Sequence, residues 1–330
     1  MGIEFSLITV IALVVAAFVG VKMAGLAYVF GVTVPYLAIS LFLLGFVYKM
    51  VKWGRSPVPF RIPTTGGQQK SMPWIKQSKL DNPSTTAQVV GRMLLEVLVF
   101  RSLFRNTKVE LRDGPKIAYQ WEKWLWLAGL AFHYSFLVIF LRHLRFFTEP
   151  VPFFVHAIER ADGFLQVGLP GIYLSDGLFI AAVTYLFLRR VIIPQMRYIS
   201  LPADYFPLFL LLGIGVTGIL TRYITKVDIL KVKELAMGLV TFHPTLPEGI
   251  GVIFYIHLFL VCTLFAYFPF SKLMHLGGVF LSPTRNLPND SREKRHINPW
   301  NYPVKVHSYA DYEDHFREKM IEAGLPVDKE

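Results

Sequence analysis

The stretch WLWLAGLAFHYSFLVIFL, residues 124–141, contains eighteen residues and no Asp, Glu, Lys or Arg. As a helix it is about 27 Å long, close to the roughly 30 Å hydrocarbon core of a bilayer. Lys123 precedes it and Arg142 follows it, so basic residues stand at both ends. We therefore predict that residues 123–146 cross a membrane.

The composition of the whole chain points the same way. Of its 330 residues, 53% are hydrophobic and only 17% are charged, whereas a soluble domain has roughly a quarter charged residues. The single cysteine excludes a disulfide framework and a four-cysteine iron–sulfur or zinc site within this chain. The sequence predicts an all-α integral membrane protein.

Six apolar segments have about the length needed to cross a bilayer. The first begins Met1-Gly2-Ile3-Glu4, without the basic start of a secretory signal, so we expect it to remain in the mature protein. The six predicted spans are about residues 5–23, 29–51, 123–146, 171–190, 203–222 and 249–274.

Basic residues predict the orientation of these spans. Residues 49–123 contain fourteen Lys and Arg against five acids, and excess Lys and Arg mark cytoplasmic loops. With six spans, both termini are expected in the cytoplasm, and the chain is expected in the cytoplasmic membrane. The net charge of +11 is then a topology signal, and no nucleic-acid partner is expected because no recognition fold accompanies it.

Four regions follow from this pattern. They are two N-terminal spans (1–51), a basic cytoplasmic loop (52–122), a four-helix domain (123–275) and a cytoplasmic tail (276–330). Within the loop, AQVVGRMLLEVLVFRSLF (87–104) is apolar on one side but contains Arg92, Glu96 and Arg101. These charges predict an amphipathic helix on the inner membrane surface or against a partner, not a seventh span.

Histidines on two of the spans are the strongest functional signal. His133 and His143 lie about 15 Å apart along the third span, while His257 and His275 lie about 27 Å apart along the sixth. Intramembrane ionisable residues are usually functional, and imidazole is a common haem ligand. Counting leaves the pairing open, because tilt or a kink near Pro269 would absorb part of the mismatch and His243 with His257 is a rival pair.

The segment HLFLVCTLFAYFPFSKLMH (257–275) resembles the last span of the respiratory nitrate reductase gamma subunit. The ten-residue spacing of His133 and His143, the segment VTFH (240–243) and the segment ADYFPLFLLL (203–212) match that family too. The additional first span, the basic loop and the tail HINPWNYPVKVHSYADYEDHF are similar to its DsrM branch, the membrane cytochromes of DsrMKJOP complexes. The resemblance implies a bundle that binds two haem b groups.

The resemblance also implies how the haems are held. By matching positions, His143 and His257 hold the outer haem iron, and His133 and His275 hold the inner one. Arg142 and Arg145 flank the outer ligand and are candidates to pair with haem propionates, although snorkelling to the interface explains them equally well. His243 becomes an outer-loop residue near a quinone pocket.

This chain departs from the family at the quinol site. The family has a lysine in the loop after the second haem helix, whereas no Lys lies between Lys123 and Lys226 here. The loop offers other groups that accept a proton from a quinol hydroxyl. The quinone-site candidates are Glu149, His156, Glu159, Asp162 and Asp176.

Together these features predict a dihaem cytochrome b that transfers electrons between menaquinol and a cytoplasmic iron–sulfur partner. By resemblance the partner is the heterodisulfide-reductase-like DsrK of sulfur metabolism, with the other DsrMKJOP subunits. The docking surface is expected to be the 49–123 loop and the tail, including Trp300–Pro303. One alternative is a haem-free anchor for soluble redox subunits. Another is a transporter with a histidine proton relay, although the repeats and broken spans of transporters are not found.

Overall fold

A computed structural model describes residues 2–58, 61–62, 66–114, 116–163, 170–292, 303 and 305–328. Within those residues the chain forms thirteen α-helices and one β-hairpin. The helices are α1 (Gly2–Lys22), α2 (Val34–Gly54), α3 (Thr86–Val99), α4 (Arg101–Phe104), α5 (Lys123–His143), α6 (Phe153–Asp162), α7 (Leu174–Ile192), α8 (Pro194–Ile199), α9 (Pro202–Ile219), α10 (Ile229–Val240), α11 (Val252–Tyr267), α12 (His275–Gly278) and α13 (Tyr309–Glu322). The hairpin strands are β1 (Thr107–Arg112) and β2 (Lys116–Trp121).

Five helical segments among the described residues are long and apolar enough to cross a membrane. Four of them extend the α-helix by a short π or 3₁₀ turn. The segments are Gly2–Lys22, Val29–Gly54, Lys123–Phe146, Pro202–Ile224 and Val252–Phe270. The chain is therefore a multi-pass membrane protein. The sixth expected span corresponds to α7, which is 19 residues long but has Asp176, Arg189 and Arg190 near its ends.

Two ion pairs fix α7 along the whole length of α5. Arg142 at the end of α5 binds Asp176 at the start of α7, with 2.5 Å between Nη2 and Oδ1. Glu122, just before α5, lies 3.2 Å from Arg189 in the last turn of α7. The two helices are therefore antiparallel and extend over the same distance.

The core of the bundle joins the first span to the last two. Val10 and Ala17 of α1 pack with Leu210 of α9 and with Ile256 and Leu260 of α11, and all five are buried. In a water-soluble protein, burying one of the larger side chains of this kind stabilises the fold by roughly 1.5–3 kcal/mol. Within a bilayer, close packing between the helices is the main contribution to stability. This packing aligns the helices that carry the histidines.

The last span ends earlier than its sequence predicts. Helix α11 stops at Tyr267, a 3₁₀ turn covers Phe268–Phe270, and Ser271 is extended with φ −120° and ψ 175°. Pro269 has no N–H to continue a helix, and it packs so closely that a Cβ on Gly45 would lie 2.6 Å from its Cβ. His275 therefore lies beyond this break, at the start of α12, and not on a continuous span to residue 274.

The expectation of an all-α chain is wrong for residues 107–121. There β1 and β2 form an antiparallel pair in which Val109 faces Tyr119 and Leu111 faces Ile117. The chain turns through Asp113-Gly114, where Gly114 has φ +69°. Alternation of polar and apolar residues on both sides of an Asp-Gly turn is a hairpin signal, and residues 108–112 follow it. Here this pattern outweighs the tendency to form a helix.

The loop and the tail are joined to each other. The Asn289 N–H donates to the Pro83 carbonyl at 2.6 Å, and the Ile62 N–H donates to the Pro283 carbonyl at 3.3 Å. Arg285 lies 3.2 Å from the buried Glu96 of α3. The proposed docking stretch Trp300–Pro303 lies, apart from Pro303, outside the described residues.

Candidate functional site

The structure brings the four span histidines together as two pairs. The parallel pair is His143 and His257, whose ring centroids are 6.5 Å apart with an interplanar angle of 20°. The perpendicular pair is His133 and His275, whose centroids are 6.0 Å apart at an angle of 81°. Each pair joins α5 to the α11–α12 segment, so the two pairs lie at different levels of the same interface.

Each of these imidazoles has its Nδ1 hydrogen-bonded to a backbone carbonyl, which can only accept. The acceptors are Gly129 for His133 (2.7 Å), Ile139 for His143 (2.7 Å), Ile214 for His257 (3.1 Å) and Lys272 for His275 (2.9 Å). Nδ1 must therefore carry the proton, which leaves the Nε2 lone pair free. Proteins usually orient a metal-binding histidine in this way, with a hydrogen bond from the ring nitrogen that does not bind the metal.

The two pairs fit the iron of a haem. A metal held about 2 Å from each of two imidazole nitrogens places the ring centroids roughly 6 Å apart, because each centroid lies about 1 Å behind its nitrogen. Within the part of the chain that the structure describes, no three His, Cys, Asp or Glu side chains are arranged to hold a metal ion. Two histidines suffice only for a metal that brings its other ligands, as haem iron does.

The break after α11 explains the pairing that counting left open. Because the helix stops at Tyr267, the 27 Å expected for a continuous helix between His257 and His275 does not apply. His275 reaches the level of His133 while His257 stays level with His143.

The histidines outside the spans are placed elsewhere. His243 is exposed, and its Nδ1 bonds the Thr241 carbonyl at 2.8 Å. His257 faces His143, so the rival pair of His243 with His257 is not formed. In the tail, His307 and His315 are exposed, and their ring centroids are 6.0 Å apart, whereas His296 lies outside the described residues.

The two pairs have different surroundings. His133 is bracketed by Phe100 and Phe132, each with its ring centroid 4.8 Å from the imidazole centroid. His257 lies against Gly218 of α9, where an added Cβ would come 3.3 Å from Cε1. The Thr217 hydroxyl oxygen is 3.0 Å from His257 Nδ1, so α9 orients this ring as well.

A buried ionic network lies next to the parallel pair. Arg142 is 7% exposed and contacts Asp162 (Nε–Oδ2 3.1 Å), Asp176 and Ser175 (3.0 Å). Ser175 also donates to Asp162 through its N–H and its hydroxyl. The network ties the ends of α5 and α6 to the start of α7.

Tyr223 extends this network, and nothing in the sequence singled it out. Its hydroxyl donates to Asp176 Oδ2 at 2.8 Å and accepts from the Tyr173 N–H at 3.1 Å. The Tyr173 ring lies between two guanidinium groups, 3.7 Å from Arg142 Cζ and 4.1 Å from Arg222 Cζ. Only tertiary structure brings these five residues together, since they come from three separate segments.

The other predicted loop residues form a second, smaller cluster. Arg145 bonds Glu159 at 2.7 Å, and His156 Nδ1 lies 3.7 Å from the same carboxylate. Glu149 is paired with Lys233 of α10. Thus all four carboxylates that sequence analysis proposed for the quinone site have a basic partner. The loop after α5 contains no lysine of its own, and the lysine that pairs with Glu149 comes from α10.

A helical membrane bundle with two facing histidine pairs between its helices is the class of protein that this geometry defines. Comparison of the sequence with known proteins makes the class specific. The chain belongs to the nitrate reductase gamma subunit family, because the sequence model of that family matches residues 96–288.

Three relatives extend this result. A protein of Archaeoglobus fulgidus named Hdr-like menaquinol oxidoreductase cytochrome b-like subunit is 48% identical over 279 residues, 82% of this chain and 83% of that protein. Its namesake from Archaeoglobus profundus is 45% identical over 273 residues, 81% of each chain. The respiratory nitrate reductase 1 gamma chain of Escherichia coli is 29% identical over 167 residues, 46% of this chain and 71% of that protein.

Proposed function

We propose that this protein is a dihaem cytochrome b subunit that transfers electrons between menaquinol and a cytoplasmic iron–sulfur partner. The observation that carries the proposal is the geometry of the two histidine pairs, whose separations suit an iron and whose Nε2 atoms are free. When bound, the haems supply one-electron redox chemistry at two levels of the membrane. The chain supplies the ligands and the surroundings that orient them.

The proposed topology has six spans with both termini in the cytoplasm. The ion pairs at both ends of α5 and α7 support a sixth crossing by α7, because a helix of equal extent beside a span must cross with it. Basic residues of the 49–123 loop support a cytoplasmic position for the N-terminal end of α5. The parallel pair then lies near the outer face and the perpendicular pair near the inner face.

A quinol site at the outer end follows from this topology. The Archaeoglobus relatives carry menaquinol oxidoreductase in their names, which supports menaquinol as the substrate here. Oxidation of one quinol releases two electrons and two protons, so the site needs proton acceptors near the parallel pair. Among the candidate carboxylates we favour Asp176, because its other partner is the hydroxyl of Tyr223.

We propose structural roles for the two arginines beside His143. Arg142 is held by Asp162 and Asp176, and Arg145 by Glu159. Because these guanidinium groups already have carboxylate partners, we assign them to holding the outer loop and not to the haem propionates. Glu149, His156 and Glu159 remain proposed as alternative groups near the quinone.

The partner is proposed from the same relatives and from the tail resemblance. We propose a DsrM-type role, with a DsrK-like iron–sulfur subunit and further DsrMKJOP subunits acting in dissimilatory sulfur metabolism. The proposed dock is the joined surface of residues 66–85 and 279–291, with the tail beyond it. Arg is enriched in subunit interfaces, and this surface contains Arg285.

An optical and stoichiometric test addresses this proposal directly. The purified chain should contain two haem b groups, measured as the pyridine haemochrome, and a menaquinol analogue should reduce them. The rival function, a haem-free membrane anchor, predicts no Soret or α band at all. A chain that is fully folded and haem-free would end the cytochrome proposal.

A further inference from the structure

Helix α3 exposes its apolar side and buries its charged side. Val90, Leu94 and Leu98 are 53%, 55% and 52% exposed, and Val97 is 37% exposed. Their spacing of i, i+4, i+7 and i+8 places them on one helical face. A helix at a water-facing surface shows the reverse arrangement, with polar residues outward.

The charged residues on the opposite face of α3 are held inside the protein. Arg92 Nη1 donates to the Asp81 carbonyl at 2.5 Å. Glu96 is 7% exposed, accepts the Ser102 N–H at 2.8 Å and lies 3.2 Å from Arg285. The charges that argued against a seventh span therefore have partners within the chain and do not face the outside of this helix.

The end of α3 lies beside the membrane-spanning part of α5. The Trp126 indole N–H donates to the Val99 carbonyl at 2.7 Å, and the Tyr134 hydroxyl donates to the Leu98 carbonyl at 2.8 Å. Phe100, where the chain turns through φ +51°, packs on the His133 ring. These partners on α5 belong to the uncharged stretch 124–141, and His133 lies about 15 Å along the helix from Lys123.

We propose that α3, the turn at Phe100 and α4 form a re-entrant segment inserted into the leaflet on the Lys123 side of the membrane. The occupant of the exposed face is the acyl chains of the lipid. Continuity with the spans supports this, because a surface beside the uncharged part of α5 is at hydrocarbon depth. Backbone at that depth is tolerated when its polar groups are satisfied, and the Leu98 and Val99 carbonyls accept from α5 side chains.

The inserted segment also has a role at the perpendicular pair. Phe100 of this segment packs on the His133 ring and covers that side of it. The proposed insertion does not depend on which cofactor the protein binds, because it is argued from the exposure of the apolar face of α3 and from the contacts of α3 with α5.

Depth measurements on the full chain in phosphatidylcholine vesicles test the inference. Single cysteines at Ala87, Leu94 and Leu98, each labelled with a small fluorophore, are compared for quenching by acyl-chain nitroxide lipids and by aqueous iodide. The matched controls are Leu44, which is 72% exposed on the α2 span, and Lys79, which is exposed in the polar loop. The native Cys262 is buried and is replaced by Ser in all variants.

We expect the labels at Leu94 and Leu98 to be quenched by lipid as strongly as the label at Leu44 and to be protected from iodide. Quenching by deep nitroxides should increase from Ala87 to Leu98, because about 16 Å of helix separates them. Equal, shallow quenching along α3 would indicate a helix lying on the surface and would overturn re-entry. Iodide quenching as strong as that of the label at Lys79 would show that water reaches this face of α3, as expected for a surface that binds a partner subunit. That result would also overturn the proposal.

Discussion

The parallel and perpendicular histidine pairs contain the same residue type at nearly the same separation, yet the chain holds them differently. The parallel pair belongs to two unbroken helices, α5 and α11, and α9 contributes a cross-helix hydrogen bond to His257. In the perpendicular pair, His275 follows a break in the chain, and its Nδ1 bonds the nearby Lys272 carbonyl. Two similar sites therefore depend on different parts of the fold.

The largest expected effect tests whether the pairs are independent. Replacing His257 by Ala should remove one haem and leave the other, so that haem per chain falls from two towards one. The reason is that each pair supplies both axial ligands of its own iron. Haem content by pyridine haemochrome measures it, and His243→Ala, which changes an exposed histidine, is the matched control. If His243→Ala lost a haem and His257→Ala kept both, His243 and not His257 would be the haem ligand.

A second prediction concerns the support of the perpendicular pair. Asp81 lies beside α3 and binds Arg101 and Arg105. Burial opposes ionisation of this carboxyl, but hydrogen bonds from Arg101, Arg105 and Ser78 outweigh it and hold the pKa of Asp81 well below its usual value. The charged form is therefore favoured in the folded protein.

The sign of the pH dependence follows from that shift. Because the folded pKa is depressed, the contribution of Asp81 to stability is present above the unfolded pKa of about 3.9 and is lost as the pH falls towards the folded value. Asp81→Asn should lower the free energy of unfolding by about 1–2 kcal/mol at neutral pH, because Asp81 is only partly buried. The difference from wild type should shrink only below about pH 4.

Thermal unfolding in detergent between pH 3 and pH 8 measures this prediction, with the exposed Asp113→Asn as control. If both variants behave alike, the arginine cluster around Asp81 does not support the fold. The His133–His275 site should lose haem on heating before the other site does in Asp81→Asn, since Asp81 binds Arg101 and the adjacent Phe100 packs on His133.

A third prediction uses the angle between the rings. Imidazole planes at 81° leave two iron d orbitals closer in energy than planes at 20°. The oxidised protein should therefore give two low-spin electron paramagnetic resonance signals, with the larger maximal g value from the perpendicular pair. His257→Ala should remove the less anisotropic signal. Two identical signals would mean that ligation makes the ring angles equal.

Much of this arrangement was accessible from the sequence, and the remainder has identifiable causes. Apolar runs located the helices, and the resemblance supplied the antiparallel pairing that the structure brings into contact. Residue counting left the partner of His275 open because a kink near Pro269 was visible in the sequence but its size was not. The network around Arg142 was out of reach because Arg142, the pair Asp162 and Asp176, and Tyr223 come from separate segments of the chain. The hairpin at 107–121 was missed although its alternating pattern and Asp113-Gly114 turn are visible in the sequence.

The smallest expected effect isolates the cross-helix hydrogen bond of the parallel pair. The Thr217 hydroxyl donates to the Gly213 carbonyl at 2.7 Å, so its oxygen accepts from His257 Nδ1. Thr217→Val keeps the shape but removes the acceptor, while the Ile214 carbonyl remains. A less electron-rich imidazole favours reduced iron, so the midpoint potential of this haem should rise by an amount worth about 0.5 kcal/mol or less.

Redox titration of the two haems separates this effect from a general loss of packing. The haem at the perpendicular pair should keep its potential, because Thr217 contacts only the other pair. Thr263→Val on α11 is the control, since its hydroxyl bonds only the Phe259 carbonyl. A matching rise in the control would assign the shift to lost helix polarity, whereas no shift in Thr217→Val would mean that the Ile214 carbonyl alone orients His257.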